Sequence, residues 1–293
     1  MLLRNLKNVH AFSAAALLAA CALGGSPAAA QSGAFLDDDE ARSNAANGGS
    51  LADGPRTMEL HGVLRDFKQS HPDMQYENKS FGLRKGVVRD RLDKNGKPVL
   101  NTNKAASAMI TSAGTFNQWF NPVEGVNREV EHSITLTERA DRPGVYTFAR
   151  ERGMPSELEY FFPLTGDPRG WNDLYPTGNG ERNFYFTYEI ETEFTFTDPT
   201  LIERREMIFD FTGDDDVWVF INGRLAVDIG GVHAQEHGSV NIDQMKDELG
   251  LEYGNDYTLK LFFAERHQTA SNFRIDTTIS LRSEPTELGD SFD

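Results

Sequence analysis

A single cysteine, Cys21, in 293 residues rules out a disulfide within the folded part of the chain, so the fold must rest on its core or on bound ions. Basic charge is scarce too. Against 45 Asp and Glu there are 29 Lys and Arg, a net charge of −16, which argues against nucleic acid and anionic lipid as partners because both are met by basic patches. The longest apolar run, residues 11–23, is shorter than the roughly 20 residues a membrane-spanning helix needs. Enzyme signatures are missing as well: there is no Gly-x-Ser-x-Gly, no His-Glu-x-x-His and no phosphate-cradling loop. Glycoside hydrolysis stays open, since its two carboxylates need not be near in sequence.

The N-terminal composition is informative in another way. Arg4 and Lys7, the apolar run, and Ala28-Ala29-Ala30 predict a secretory signal over residues 1–30, and hence an exported protein, secreted or at the cell surface. Leu18-Ala19-Ala20-Cys21 also fits a lipobox, in which case the mature chain is anchored through a lipid on Cys21. Residues 31–56 are small and polar and read as a flexible leader, residues 57–282 as one folded domain, and residues 283–293 as an acidic tail.

Strand patterns dominate the domain. From Phe184 to Phe196, aromatic and aliphatic residues alternate with Glu189, Glu191 and Glu193, which predicts one buried and one wet face. Asn95-Gly96 and Asn222-Gly223 predict tight hairpins, and residues 257–263 and 273–281 a late one. Short helices are expected at 115–120, capped by Thr115, and at 243–249, capped by Asp243 and ended by Gly250. The fold class is therefore all-β, an antiparallel β-sandwich or barrel with short helical insertions.

The central stretch is residues 212–233, TGDDDVWVFINGRLAVDIGGVH. A two-residue turn at Asn222-Gly223 pairs Ile221 with Arg224, Phe220 with Leu225 and Trp218 with Val227, and gathers Asp214, Asp215, Asp216 and His233 at the open end of the hairpin. Three successive carboxylates repel, so they are either solvated or given a cation, and calcium suits hard oxygen ligands. Adjacent aspartates of a strand point to opposite faces, so they share an ion only where the backbone bends or a peptide is cis. Zinc on His233 and His267 with Asp214 or Asp228 is the alternative, but no close pair has metal-ligand spacing. In the Gly- and Pro-rich loop over residues 163–183, Trp171 is a candidate sugar-stacking platform or a packed cover for a barrel end.

Three segments, GDDDVWVFINGRLAVDIGGVH, LKLFFAERHQTASNFRIDTTISL (259–281) and MELHGVLRDFKQSHPDM (58–74), closely resemble the fibro-slime domain family of secreted bacterial and slime-mould proteins. That family is similar to the protective-antigen-type β-barrel of flocculins, in which two aspartates joined by a cis peptide hold a calcium that grips sugar hydroxyls. The resemblance implies a calcium-dependent, non-enzymatic adhesin for an extracellular polysaccharide or glycoprotein. It assigns calcium to Asp214 and Asp215, with Asn272 from a second loop, and a ligand pocket to Asp216, His233 and His267. The competing reading is a structural matrix protein in which calcium only stiffens a loop.

Overall fold

The computed structural model describes residues 55–74, 82–102, 109–156, 158–178 and 180–284. The signal, the lipobox and nearly all of the leader lie outside the described residues. Fourteen elements follow in chain order: β1 (Thr57–Phe67), α1 (Ala113–Asn117), β2 (Asn127–Glu138), β3 (Tyr146–Arg150), β4 (Tyr175–Thr177), β5 (Gly180–Arg182), β6 (Phe186–Thr195), β7 (Ile208–Gly213), β8 (Asp216–Ile221), β9 (Arg224–Ile229), β10 (Glu236–Asn241), α2 (Lys246–Leu249), β11 (Asp256–Glu265) and β12 (Phe273–Thr277). Among the described residues no helix is long and apolar enough to cross a membrane.

Ten strands form one antiparallel sheet in the order β10-β7-β12-β3-β2-β1-β6-β11-β8-β9, with β4 and β5 as a separate pair. The sheet curls until its two edges nearly meet. Gly238 of β10 lies so close to Val227 and Ile229 of β9 that a Cβ there would collide with both. The all-β expectation holds, and the structure selects a nearly closed barrel from its two forms.

One face of the sheet fills the barrel with Leu64, Tyr188, Ile190, Phe211, Val219, Leu261 and Phe263. Ring centroids of Phe273 lie 5.1 Å from Phe263, 5.0 Å from Phe211 and 4.6 Å from Phe161. A second cluster, Phe116, Trp119, Phe120, Trp218, Phe220 and Phe262, covers the outside of β8 and β11 with α1 and its flanks. β8 is thus buried on both faces, which is why it reads as an unbroken apolar run after Asp216.

Several expectations are corrected. The turn at Asn222 and Gly223 forms, with φ of 51° and 67°, but a bulge between Val219 and Phe220 shifts the register, so Trp218 faces Asp228 and not Val227. Its Nε1 donates to Asp228 Oδ1 at 3.2 Å. Glu189 is not on a wet face: Arg65 and Lys97 pair with it, at 2.9 and 2.6 Å, and bury it. Ser112, not Thr115, caps α1, and Thr115 serves as its reciprocal partner. Asp243 caps nothing in α2, because its carboxylate is taken by Arg204 and the Met207 amide, although Gly250 does end that helix in the left-handed region. The turn at Asn95-Gly96 does form, closed by the Asp93 amide on the Lys97 carbonyl at 2.9 Å, and its flanks pair antiparallel at Val88 and Leu100 without becoming full strands. The late strands are not a hairpin: β11 pairs with β6 and β8, whereas β12 pairs with β3 and β7.

Phe263→Ala is expected to destabilise the fold by about 3–5 kcal/mol, because the cavity would open in the middle of this aromatic cluster. The shift of the urea midpoint measures it.

Candidate functional site

Strand register sets one end of the barrel apart. Asp66 pairs with Phe186, Phe186 with Glu265, Ala264 with Asp216, and Gly213 with Phe273, so the ends of β1, β6, β11, β8, β7 and β12 lie on one rim. Two crossings leave that rim, residues 214–215 from β7 to β8 and residues 266–272 from β11 to β12. Since β7 is paired with β12 and β8 with β11, both crossings join the same two strand pairs and must run side by side. Gly213 permits the approach: a Cβ there would strike the Asn272 carbonyl.

Their meeting is a set of hydrogen bonds around two aspartates. The Asp214–Asp215 peptide is cis. Asp214 Oδ1 accepts from the Asn272 amide and Oδ2 from Asn272 Nδ2 at 2.9 Å, while Asn272 Oδ1 accepts from the Arg152 amide at 2.9 Å. Asp215 Oδ2 accepts from the Arg266 amide at 3.1 Å. Both carboxylates are buried, at 5% and 3% exposure. Asn272 thus lies beside Asp214 with its amide nitrogen towards the carboxylate and its side-chain oxygen on the Arg152 amide.

Asp216 takes a different role. It shares the outer strand face with Trp218 and Phe220, and there Arg266 grips its Oδ2 through Nε and Nη2 at 2.8 and 2.7 Å, while Oδ1 accepts from the Gly231 amide at 2.5 Å. Arg266 is itself framed, donating from Nη1 to the carbonyls of Asp73 and Met109 and lying 4.6 Å from the Trp119 ring centre. Asp73 holds this frame together, accepting from Trp119 Nε1 at 3.1 Å and the Thr111 amide at 2.8 Å. The one guanidinium in the cluster is therefore committed to Asp216.

A fourth acid was not singled out from the sequence. Glu265 ends β11 on the barrel-filling face, beyond Leu261 and Phe263, and is fully buried. Its Oε1 accepts from the His267 amide at 3.0 Å, but Oε2 has no well-formed hydrogen-bond partner, although the buried Ser271 hydroxyl lies near enough to favour the ionised carboxylate. Alternation was the available signal: Leu259, Leu261, Phe263 and Glu265 share a face, so this carboxylate had to be buried.

The electrostatics follow from burial. Loss of solvent pushes the Asp215 and Glu265 carboxyls well above the ordinary range; Arg266 pulls Asp215 back, whereas Asp214 and Asp216 push it further, and Asp215 and Asp214 both act against Glu265. Burial also raises Asp214, opposed by the Asn272 amides. Among the described residues no three His, Cys, Asp or Glu side chains already surround a single metal position. The donors present are nonetheless hard oxygens carrying surplus negative charge, one of them an orphaned buried Oε2, and that set fits calcium.

The other sequence candidates lie around the same rim. His233 is buried; its Nδ1 donates to the Ala234 carbonyl at 2.8 Å, and its Nε2 is buried without a partner. His267 is partly exposed, with Nδ1 3.1 Å from Thr269 Oγ1. Trp171 is anchored through its amide to Asp66, and its ring lies under Lys68 Nζ at 4.3 Å and Arg128 Cζ at 3.8 Å.

Residues 205–287, which contain both crossings, match the family model of the PA14 domain. Over longer stretches the chain is similar to two Dictyostelium discoideum proteins. It is 32% identical to protein psiR over 239 residues, covering 79% of this chain and 22% of that protein, and 36% identical to protein psiQ over 201 residues, covering 68% and 19%. The chain thus spans about a fifth of the length of these relatives. Among solved structures, an anti-sigma factor domain-containing protein from Clostridium clariflavum matches at 15% identity with a TM-score of 0.26, covering 41% of this chain and 39% of that one, too low a likeness to carry an argument.

Two outcomes are expected. Gly213→Ala should force the two crossings apart and lower the melting temperature by several degrees, as a cost of about 1–3 kcal/mol does in a domain of this size. The loop that frames Arg266 should be acid-sensitive through His71, whose Nδ1 accepts from the Asp73 amide and whose Nε2 meets Gln118 Oε1 at 3.0 Å. Burial holds its pKa below the ordinary 6.5, despite the Gln118 bond. The unfolded chain therefore takes up the proton first, and stability falls as pH drops through about 6.5 towards the folded value. Urea midpoints of the parent should decline between pH 7 and 5 more steeply than those of His71→Gln.

Proposed function

We propose that this chain is an exported calcium-dependent module of the fibro-slime type, which binds an extracellular polysaccharide or glycoprotein in a non-enzymatic, adhesin-like role. The observation that carries this reading is the convergence of Asp214, Asp215 and Asn272 in a buried site whose two carboxylates accept from amide donors while the Arg266 guanidinium pairs with Asp216. The PA14 match over that same stretch supports a binding module of the carbohydrate-recognising kind, and the predicted signal at residues 1–30 supports export.

Bound calcium supplies a concentrated positive charge with coordination positions that vicinal hydroxyls can fill. Asp214 and Asp215 hold it, and Asn272 ties its loop to theirs. The residues' other task is to offer the ligand a surface. A groove of about 700 Å³ runs beside β2 and β3, lined by His132, Arg150, Glu159, Tyr160, Phe162 and Arg182, a mix of aromatic faces and charged donors suited to a sugar polymer. Tyr160 lines the groove on the segment that leads to Phe161, whose amide donates to the Ser271 carbonyl at 2.7 Å beside Asn272, which ties the groove to the loop of the site. Carboxylates buried against amide donors suit ion ligands better than an acid and base facing each other across a cleft, which supports binding over glycoside hydrolysis.

Burial of the aspartate pair favours one rival, a matrix protein in which calcium stiffens the barrel mouth and touches no sugar. Calorimetric titration of the full chain with calcium is expected to give one site, lost in Asp214→Ala and in Asp215→Ala, with a chelator lowering the melting temperature of the parent alone. Absence of heat from a folded parent would refute the calcium reading. Glycan-array binding that needs calcium and weakens at least about tenfold in Tyr160→Ala, with calcium affinity unchanged, would select the adhesin over the rival; calcium uptake with no glycan bound would select the rival.

A further inference from the structure

The charge at the barrel mouth divides into two parts. Asp216 is answered by Arg266 on the outer face, with two contacts at 2.8 and 2.7 Å. Asp214, Asp215 and Glu265 accept their hydrogen bonds from amides, Asn272 N and Nδ2, Arg266 N and His267 N, and no guanidinium contacts their oxygens as Arg266 contacts Asp216. Two aspartates would ask for one divalent cation; the third carboxylate exceeds what that reading uses. Glu265 is fully buried, and its Oε2 is unpartnered. A carboxylate oxygen left bare in a water-excluded site costs several kcal/mol unless something occupies it. Nearby, His233 leaves its Nε2 buried without a partner, at 7% exposure. A bare carboxylate oxygen beside two buried aspartates describes a place that calls for positive charge.

We infer that Glu265 is a third carboxylate of the cation site, contributing its charge and its Oε2 oxygen to the ion or to a water on that ion. This rests on the calcium reading above and deepens it. Backbone placement makes the role specific. At the end of β11, Glu265 pairs with Phe186 of β6 and Ala264 with Asp216 of β8, the next residue, Arg266, donates its amide to Asp215, and Glu265 continues the inner face of Phe263, which places its side chain at the mouth beside the two crossings. Its Oε1 bond to the His267 amide fixes the carboxylate and starts the loop that carries Asn272. Glu265 would thereby join the ion to both crossings, a function that Asp216, tied to Arg266, cannot serve.

The test uses the full chain and calcium chloride alone as probe. Calcium affinity by calorimetry, and terbium luminescence as a second readout, are compared for the parent, Glu265→Gln and Glu189→Gln, the last being a buried acid paired with Arg65 and Lys97 away from the mouth. Glu265→Gln is expected to weaken binding by about 10- to 100-fold, as loss of a metal-site group does, while Glu189→Gln binds like the parent. Melting in chelator separates ligand from scaffold. With one repelling charge removed, Glu265→Gln should melt no lower than the parent without calcium yet gain less on adding it, whereas a purely structural role would lower both. Parent-like affinity in Glu265→Gln, with the parent still binding, would overturn this inference and leave the calcium reading standing. No binding by the folded parent would overturn both. Should Glu265→Gln fail to fold, Glu265→Asp keeps the charge but withdraws the oxygens by a methylene, and parent-like affinity there overturns the inference equally.

Discussion

Three carboxylates held out of water at the mouth of a barrel, with the adjacent guanidinium already committed elsewhere, make the constraint to which the surrounding structure answers. Ionised groups in such a place repel one another and lose hydration, so each oxygen must find a donor, a proton or a cation. The chain provides donors where it can. Asn272 gives two, the Arg266 and His267 amides one each, and Arg266 spends its side chain on Asp216. One oxygen of Glu265 and one nitrogen of His233 remain without a partner.

The barrel exists in a form that serves this mouth. Pairing β7 with β12 and β8 with β11 obliges two crossings to share one rim, and a glycine at 213 lets them touch. Outside the barrel, Phe67, Met74, Val87, Ile110, Phe116 and Phe120 add a second apolar layer with Trp218 and Phe262, and beside it stands the frame of Asp73, Trp119 and the Met109 carbonyl that fixes Arg266. Stability and site are in this sense continuous, since the aromatic layer that buries β8 also orients the guanidinium that neutralises Asp216.

Much of the fold was legible because strand alternation is a local property. The inner faces of β6 and β11 follow from side-chain parity alone, and the turn at Asn222-Gly223 from the residues that tolerate positive φ. Parity also held information left unused: it puts Glu265 on the same face as Phe263. What could not be read locally was partner choice. Whether Glu189 faces water or Arg65 and Lys97, and whether Asp243 caps a helix or binds Arg204, depends on residues 36 to 124 positions away. The bulge between Val219 and Phe220 escaped for a related reason, since two-residue turn chemistry sets the first pairs of a hairpin and leaves later pairs to packing.

By itself, the sequence determined the fold class, the exclusion of disulfides within the folded part and the contiguity of Asp214 with Asp215. Those rest on composition, on period-two alternation and on contiguity in the chain, which need no third dimension. Only the tertiary structure decided that the barrel closes, that Asp216 belongs to Arg266, that Trp171 lies beneath Lys68 and Arg128, and that Glu265 shares the mouth with the two aspartates. Each of these is a meeting between distant segments, and the free energy that selects among such meetings comes from burial and charge compensation, which the chain acquires only once it is folded.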